Sequence, residues 1–167
     1  MKRNLIILVI ILVLIIGYWL ISPFFINKKV SEESPLNASQ QASTETKQVN
    51  EVGDSSEVKT EIIYKGTFTG FDKIHYGSGD AALIKTENGL VLRFEENFNV
   101  ANGPDLYVGF GKDGKYVNGS EIARLKGNIG SQNYSLSTDF RLEEYNEVWI
   151  WCRAFSVPFA KATFEAI

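Results

Sequence analysis

The chain carries a single cysteine, Cys152, inside an apolar run near its C-terminal end. A lone thiol cannot form an intramolecular disulfide, so it is either a small buried apolar residue or a reactive group. In a β-strand, Val148 and Ile150 would share a face with Cys152, while the neighbouring tryptophans would occupy the other face. Because burial among aliphatic side chains makes a thiol unreactive, this local pattern favours a core residue.

A second candidate for chemistry is His75, the only histidine, which lies in a loop of turn-forming residues shortly after Asp72. One interpretation is a loop side chain that bonds the neighbouring backbone. The other is a thiolate–imidazole pair with Cys152, in which the hydrogen bond activates the thiol. The separation of the two residues in the sequence leaves both interpretations open, and Asp72 is a structural or site residue beside them.

A turn is predicted at Gly103, Pro104 and Asp105, just before an apolar strand. Proline suits the first corner of a turn and aspartate can bond nearby amides. A structural role explains these three residues first, and a role in a site comes second.

Several kinds of site are excluded by composition. One histidine and one cysteine cannot supply the two His and one Cys of a blue-copper site, nor four zinc ligands. The Cys-x-x-Cys-His run of c-type haem attachment and the Gly-x-Ser-x-Gly elbow of hydrolases do not occur. The lack of a basic patch argues against nucleic-acid binding, whereas the net charge of −3 is uninformative about partners.

The elements that must position these residues are strands. Short alternating apolar runs are separated by Gly, Asn and Asp, and no long stretch keeps a helical period. The pattern predicts an all-β domain, an antiparallel sandwich or flattened barrel of about eight strands. The predicted strands cover residues 61–68, 81–86, 90–94, 106–110, 122–125, 133–136, 148–154 and 159–164, with a short helix possible at 141–145.

Ahead of this domain, residues 5–26 contain no charge, enough helix to cross roughly 30 Å of hydrocarbon. This is a signal peptide or a membrane anchor. The length, the aromatic flank and the lack of a cleavage pattern favour an uncleaved single-pass anchor in the lipid bilayer. Lys2 and Arg3 favour a cytoplasmic N-terminus and an extracytoplasmic C-terminal part. We therefore expect an anchor at 1–26, a flexible polar linker at 27–58 and the β domain at 59–167.

Six ordered motifs carry a family resemblance. They are G-x-F at 66–68, DKIHYGSG at 72–79, LRF at 92–94, GPDLYV at 103–108, LKGNIG-x-QNY at 125–134 and V-x-IWC-x-AF at 148–155. Together they resemble the DM13 domain over nearly all of residues 64–163.

The resemblance implies a β-rich, extracellular or membrane-tethered domain with a role in electron transfer or oxidative modification. Cys152 matches the family's proposed redox centre, a bare thiol or a ligand to a prosthetic group such as haem, and His75 matches the histidine of the first long motif. Haem is possible but not demanded by the residues. The resemblance also implies a redox or cell-surface protein partner. The alternative function is a non-enzymatic surface-binding module in which Cys152 is a core residue.

Overall fold

A computed structural model describes residues 2–21, 26–37, 60–137 and 140–167. The first element is helix α1, Lys2–Ile21. Within the described residues, no helix is both long enough and apolar enough to cross a membrane. Residues 1 and 22–25 of the predicted anchor, residues 38–58 of the predicted linker, and residues 59 and 138–139 of the predicted β domain lie outside the described residues.

The domain is built on antiparallel strands. They are β1 (Glu61–Gly70), β2 (Gly77–Ser78), β3 (Asp80–Thr86), β4 (Gly89–Phe94), β5 (Asn99–Val100), β6 (Leu106–Lys112), β7 (Lys115–Tyr116), β8 (Ala123–Arg124), β9 (Gln132–Ser135), β10 (Glu147–Cys152), β11 (Val157–Thr163) and β12 (Glu165–Ala166). Eight of them form a path in the order β7-β6-β10-β11-β1-β3-β4-β9, while β8 pairs with β6, β12 pairs with β1, and β2 pairs with β5. The path curves into a half-barrel.

The prediction of an antiparallel all-β domain is confirmed, and each of the eight predicted strands has a counterpart. The sequence pattern missed β2, β5, β7 and β12, since two residues are too few to show alternation. At 141–145 the structure has a single 3₁₀ turn, Leu142–Glu144. The sheet is one curved layer, and its concave side encloses the core.

That core joins strands from both halves of the path. Phe94 of β4 contacts Tyr134 of β9 with ring centroids 5.4 Å apart, and both belong to the same cluster as Val108 of β6 and Ile150 of β10. Phe68, Phe94 and Phe98 pack edge-on or tilted at centroid distances of 4.6 to 5.0 Å. Such ring pairs are favourable beyond the apolar area that they bury.

Gln132, the first residue of β9, is completely buried. Its amide nitrogen donates to the carbonyls of Gly127 at 2.9 Å and Gly130 at 3.3 Å, and its amide oxygen accepts from the N–H of Gly127 and the hydroxyl of Tyr134. A buried amide is stable only when its donors and acceptors are paired, as they are here. This one side chain therefore fixes the path of the loop that leads into β9.

Against the same loop lies the segment 26–33, which we call the strap. The N–H of Val30 donates to the carbonyl of Ile129 at 2.9 Å, and the N–H of Glu32 donates to the carbonyl of Ser131 at 3.0 Å. Lys29 and Ile129 form a parallel bridge. The sequence predicts a free linker here, because the segment is polar and has no strand pattern. The described residues show instead that the linker region begins with a segment bound to the domain.

Glu32 is the main polar anchor of the strap. Its carboxylate accepts from Lys126 Nζ at 2.8 and 3.0 Å and from the N–H of Asn133 at 2.7 Å, and its carbonyl accepts from Arg93 and from Ser131. Partial burial works against the charged carboxylate, but the bonds from Lys126 and Asn133 outweigh it and hold the pKa of Glu32 below its ordinary value.

Two glycines allow the strap to lie this close. A Cβ atom at Gly127 would lie 2.4 Å from the carbonyl oxygen of Lys28, and one at Gly130 would lie 2.2 Å from that of Val30. Neither distance is compatible with a side chain. The loop therefore has the shape of a cradle for the strap backbone.

We predict that Gly130→Ala releases the strap. The new methyl group would overlap the Val30 carbonyl, so amide hydrogen exchange at Val30 and Glu32 in the full-length protein should speed up at least tenfold. Gly119→Ala is the matched comparison, because Gly119 also has a positive φ but a Cβ there would meet nothing within 4 Å. It carries the same backbone strain, on the order of 1–2 kcal/mol, without the clash. Equal exchange at Val30 in the two variants would contradict the cradle.

Candidate functional site

Cys152 is the last residue of β10 and is completely buried. It is paired with Leu106 of β6 on one side and with Val157 of β11 on the other, and it belongs to the hydrophobic core with Val148 and Ile150. The predicted alternation of this strand is confirmed. The thiol is free, and it has no exposed surface from which to react directly with a molecule in solution.

His75 lies in the loop after β1, where it is held by Asp72. The Nδ1 atom of His75 is 2.8 Å from Oδ2 of Asp72, and Oδ1 of Asp72 accepts from the backbone N–H groups of Ile74 and His75, each at 2.7 Å. The side chains of His75 and Asp72 are 27% and 53% exposed. The carboxylate of Asp72 therefore organises the loop and also orients the imidazole.

The structure brings Cys152 and His75 to the same end of the sheet but does not join them. Among the described residues, the thiol of Cys152 makes no hydrogen bond to His75. The imidazole packs instead edge-on against Phe159 of β11, with centroids 4.8 Å apart. Phe159 is the extra residue where the register between β10 and β11 shifts, so it bulges beside the strand that carries the thiol.

The turn at 103–105 closes the strand end. A Cβ at Gly103 would lie 2.8 Å from both Leu106 and Phe159, so only glycine fits there. Asp105 bonds Arg124 through one oxygen at 2.7 Å and Arg153 through the other at 3.2 Å, and its carbonyl accepts the N–H of Arg153. The guanidinium of Arg153 also stacks on Tyr107 at 4.2 Å. We call Asp105, Arg124 and Arg153 the clamp. Its central residue, Asp105, holds Arg153, the residue that follows Cys152.

The packing around Cys152 does not fit a haem ligand. An axial ligand needs its sulfur to face a cavity as wide as a porphyrin, whereas this sulfur lies in the core between two paired strands, and a methyl group at Gly103 would already clash. In the described part of the chain, no group of three or more His, Cys, Asp or Glu side chains is placed to hold a metal ion.

One polar cluster was not anticipated from the sequence. Glu147, at the start of β10, is buried and accepts from Lys161, from the indole of Trp149 at 3.1 Å and from the N–H of Gly114 at 3.0 Å. Lys161 also lies 5.5 Å above the Trp149 ring. The only signal in the sequence was one acid and one base on apolar strands, which does not reveal that they are neighbours. The cluster fixes the other end of the strand that carries Cys152.

These features define a class, a β-rich domain with a single buried cysteine at the end of a central strand. A family model described as "Electron transfer DM13" matches residues 67–164, and the chain belongs to the DM13 family. Neither the curated proteins nor the solved structures contain a match to this chain.

We predict that the clamp limits access to the thiol. In the folded full-length protein, Cys152 should react with a disulfide reagent such as DTNB at least a hundredfold more slowly than in 6 M guanidinium. Asp105→Asn weakens both ion pairs and should raise the native rate several-fold, because the end of β10 then opens more often. Asp113→Asn, in the hairpin at the opposite end, should leave the rate unchanged. A wild-type thiol that reacts as fast as a free one would contradict this prediction.

We also predict that Asp72 titrates far below an ordinary aspartate. The hydrogen bond from His75 lowers its pKa from 3.8 to about 2, with smaller contributions from the loop amides. Because the folded-state pKa is lowered, the support that Asp72 gives to the loop is complete above about pH 4 and is lost as pH falls through about 2. Carboxyl ¹³C chemical shifts should show this, and His75→Ala should raise the midpoint. A wild-type midpoint near 3.8 would refute the paired geometry.

Proposed function

We propose that this chain is a single-pass, membrane-anchored redox protein whose extracytoplasmic domain transfers electrons through Cys152. The observation that carries the proposal is membership of a family described as electron transfer, with the only thiol of the chain inside the motif that resembles the family's cysteine motif. The burial of the thiol makes the reaction conditional on an opening of the strand end.

The reaction proposed for the thiol uses a hydroperoxide as the oxidant. The sulfur attacks one peroxide oxygen, the O–O bond breaks, and the products are a sulfenic acid and water or an alcohol. Two electrons leave the sulfur and reduce the peroxide. A thiol of a partner protein then condenses with the sulfenic acid to a mixed disulfide, with loss of water. His75, on the same end of the domain, is the residue best placed to accept a proton there once the strand end has opened.

The anchor in this proposal rests on the uncharged apolar run at residues 5–26, which as a helix is long enough to cross about 30 Å of hydrocarbon. Lys2 and Arg3 precede the run and support a cytoplasmic N-terminus with the domain outside.

The complete burial of Cys152 favours a second candidate function, a surface-binding module in which the cysteine only fills the core. In that case the loops at the end of the sheet bind a ligand, and the thiol takes no part in the function. The two candidates differ in whether the folded protein can be oxidised at Cys152.

The deciding experiment exposes the full-length protein, in detergent or nanodiscs, to mild hydrogen peroxide and traps sulfenic acid with dimedone. The redox proposal expects a dimedone adduct on Cys152 that forms faster than global unfolding, as measured by hydrogen exchange of the core strands. The Cys152→Ala variant should form no adduct, and its free energy of unfolding should fall by only about 1–2 kcal/mol. Labelling that appears only at the rate of global unfolding would leave the binding module as the function.

A further inference from the structure

Several loops leave the sheet at the same end. The registers Cys152 with Leu106 and Phe94 with Gln132 place the last residues of β10 and β4 beside the first residues of β6 and β9. The register Gly70 with Ala160 places the last residue of β1 beside β11, near its start. The loops that continue from these residues cover 71–76, 95–105, 125–131 and 153–156. We call this the loop end of the domain. The hairpin turn between β3 and β4, at Asn88, lies at the opposite end.

The strap begins at the loop end. Asn27 accepts hydrogen bonds from the side chains of Asn102 at 2.8 Å and Asn128 at 3.0 Å, and Lys28 donates its N–H to Asn128. Four residues of chain separate Ile21, the last residue of α1, from Ile26, so the two Cα atoms are at most about 18 Å apart. The end of the helix is therefore held close to the loop end, and not to the opposite end.

The exposed apolar side chains of the domain are also concentrated at the loop end. Outside α1, the described residues include six large apolar side chains that are exposed. Ile167 is at the C-terminus, and the other five are at the loop end: Ile26 (59%), Phe71 (43%), Ile74 (76%), Tyr76 (46%) and Phe155 (63%). Exposed apolar and aromatic side chains confined to one end of a soluble domain are typical of contact with a partner or with the interfacial zone of a membrane.

The charge of the loop end favours an anionic membrane surface as its partner. The loop end carries the basic residues Lys28, Lys29, Lys73, Arg124 and Arg153, which surround the apolar tips. The carboxylates nearby are largely engaged, Asp72 with His75, Asp105 with two arginines and Glu95 with Arg93, while Glu96 is exposed and opposes the attraction. Basic residues around exposed apolar tips match an anionic lipid surface.

We propose that the loop end lies on the bilayer, with Ile74 and Phe155 inserted among the headgroups and the surrounding basic residues against anionic lipid. This inference rests on the anchoring of α1 proposed above, since the anchor supplies the bilayer. It adds an orientation, because the strand end that carries Cys152 then opens towards the membrane surface. Reactants that collect at that surface reach the thiol before those in free solution.

The test uses the full-length chain in nanodiscs of phosphatidylcholine with and without phosphatidylglycerol. Nitroxide labels are attached singly at I74C, F155C, N88C and L14C, and the unsubstituted chain measures any labelling of buried Cys152. Power saturation with oxygen and with a water-soluble nickel chelate reports the surroundings of each label. We expect the labels at 74 and 155 to be several-fold less accessible to nickel than the label at 88, and more so with phosphatidylglycerol.

Two results would overturn the inference, and they differ in what else they overturn. In the first result, the labels at 74 and 155 are as accessible to nickel as the label at 88, while the label at 14 is protected. This result would contradict the contact between the loop end and the bilayer but not the membrane anchor. In the second result, the label at 14 is itself accessible to nickel, which would contradict the membrane anchor as well. The charge argument is checked separately with the label at 155. Lys73→Glu should reduce its dependence on phosphatidylglycerol, whereas Lys85→Glu, near the opposite turn, should not.

Discussion

The rest of the structure depends on the buried amide of Gln132. With no exposed surface and its donors and acceptors paired, this side chain holds Gly127 and Gly130 in the one arrangement that leaves room for another backbone. The strap occupies that space, and the strap is the part of the chain that leads from α1. A hydrogen-bond network in the interior thus determines which end of the domain lies nearest to the helix. A network of this kind stabilises one arrangement because a partly satisfied one would be costly.

Cys152 combines two properties that usually exclude each other. It is buried as deeply as any aliphatic core residue, yet it is the last residue of its strand, and the turn at 153–156 follows it at once. Residues at strand ends open locally far more often than those in the middle of a sheet. The clamp around Asp105 sets how often that happens here. In the function proposed above, the thiol is protected from oxidants while the clamp is closed and reacts when the clamp opens.

Much of the fold could be predicted from the sequence, because alternation of apolar residues is a local signal. It located eight strands and the inward face of β10, and Asp72 and His75 stand close enough in the chain for their pairing to be suspected. The strap could not be predicted. Its residues are polar, and their partners lie roughly a hundred positions later, as with Glu32 and Asn133. The membership of Glu147 and Lys161 in one cluster likewise depends on strand register, which no short pattern specifies.

The strap also has a mechanical consequence. The strap and β1 belong to the same domain, so a force applied between α1 and the domain acts first on the hydrogen bonds of the strap, such as those that Val30 and Glu32 donate to the loop before β9. While these bonds hold, the distance between α1 and the domain is limited by the few residues between α1 and the strap and not by the longer chain between the strap and β1.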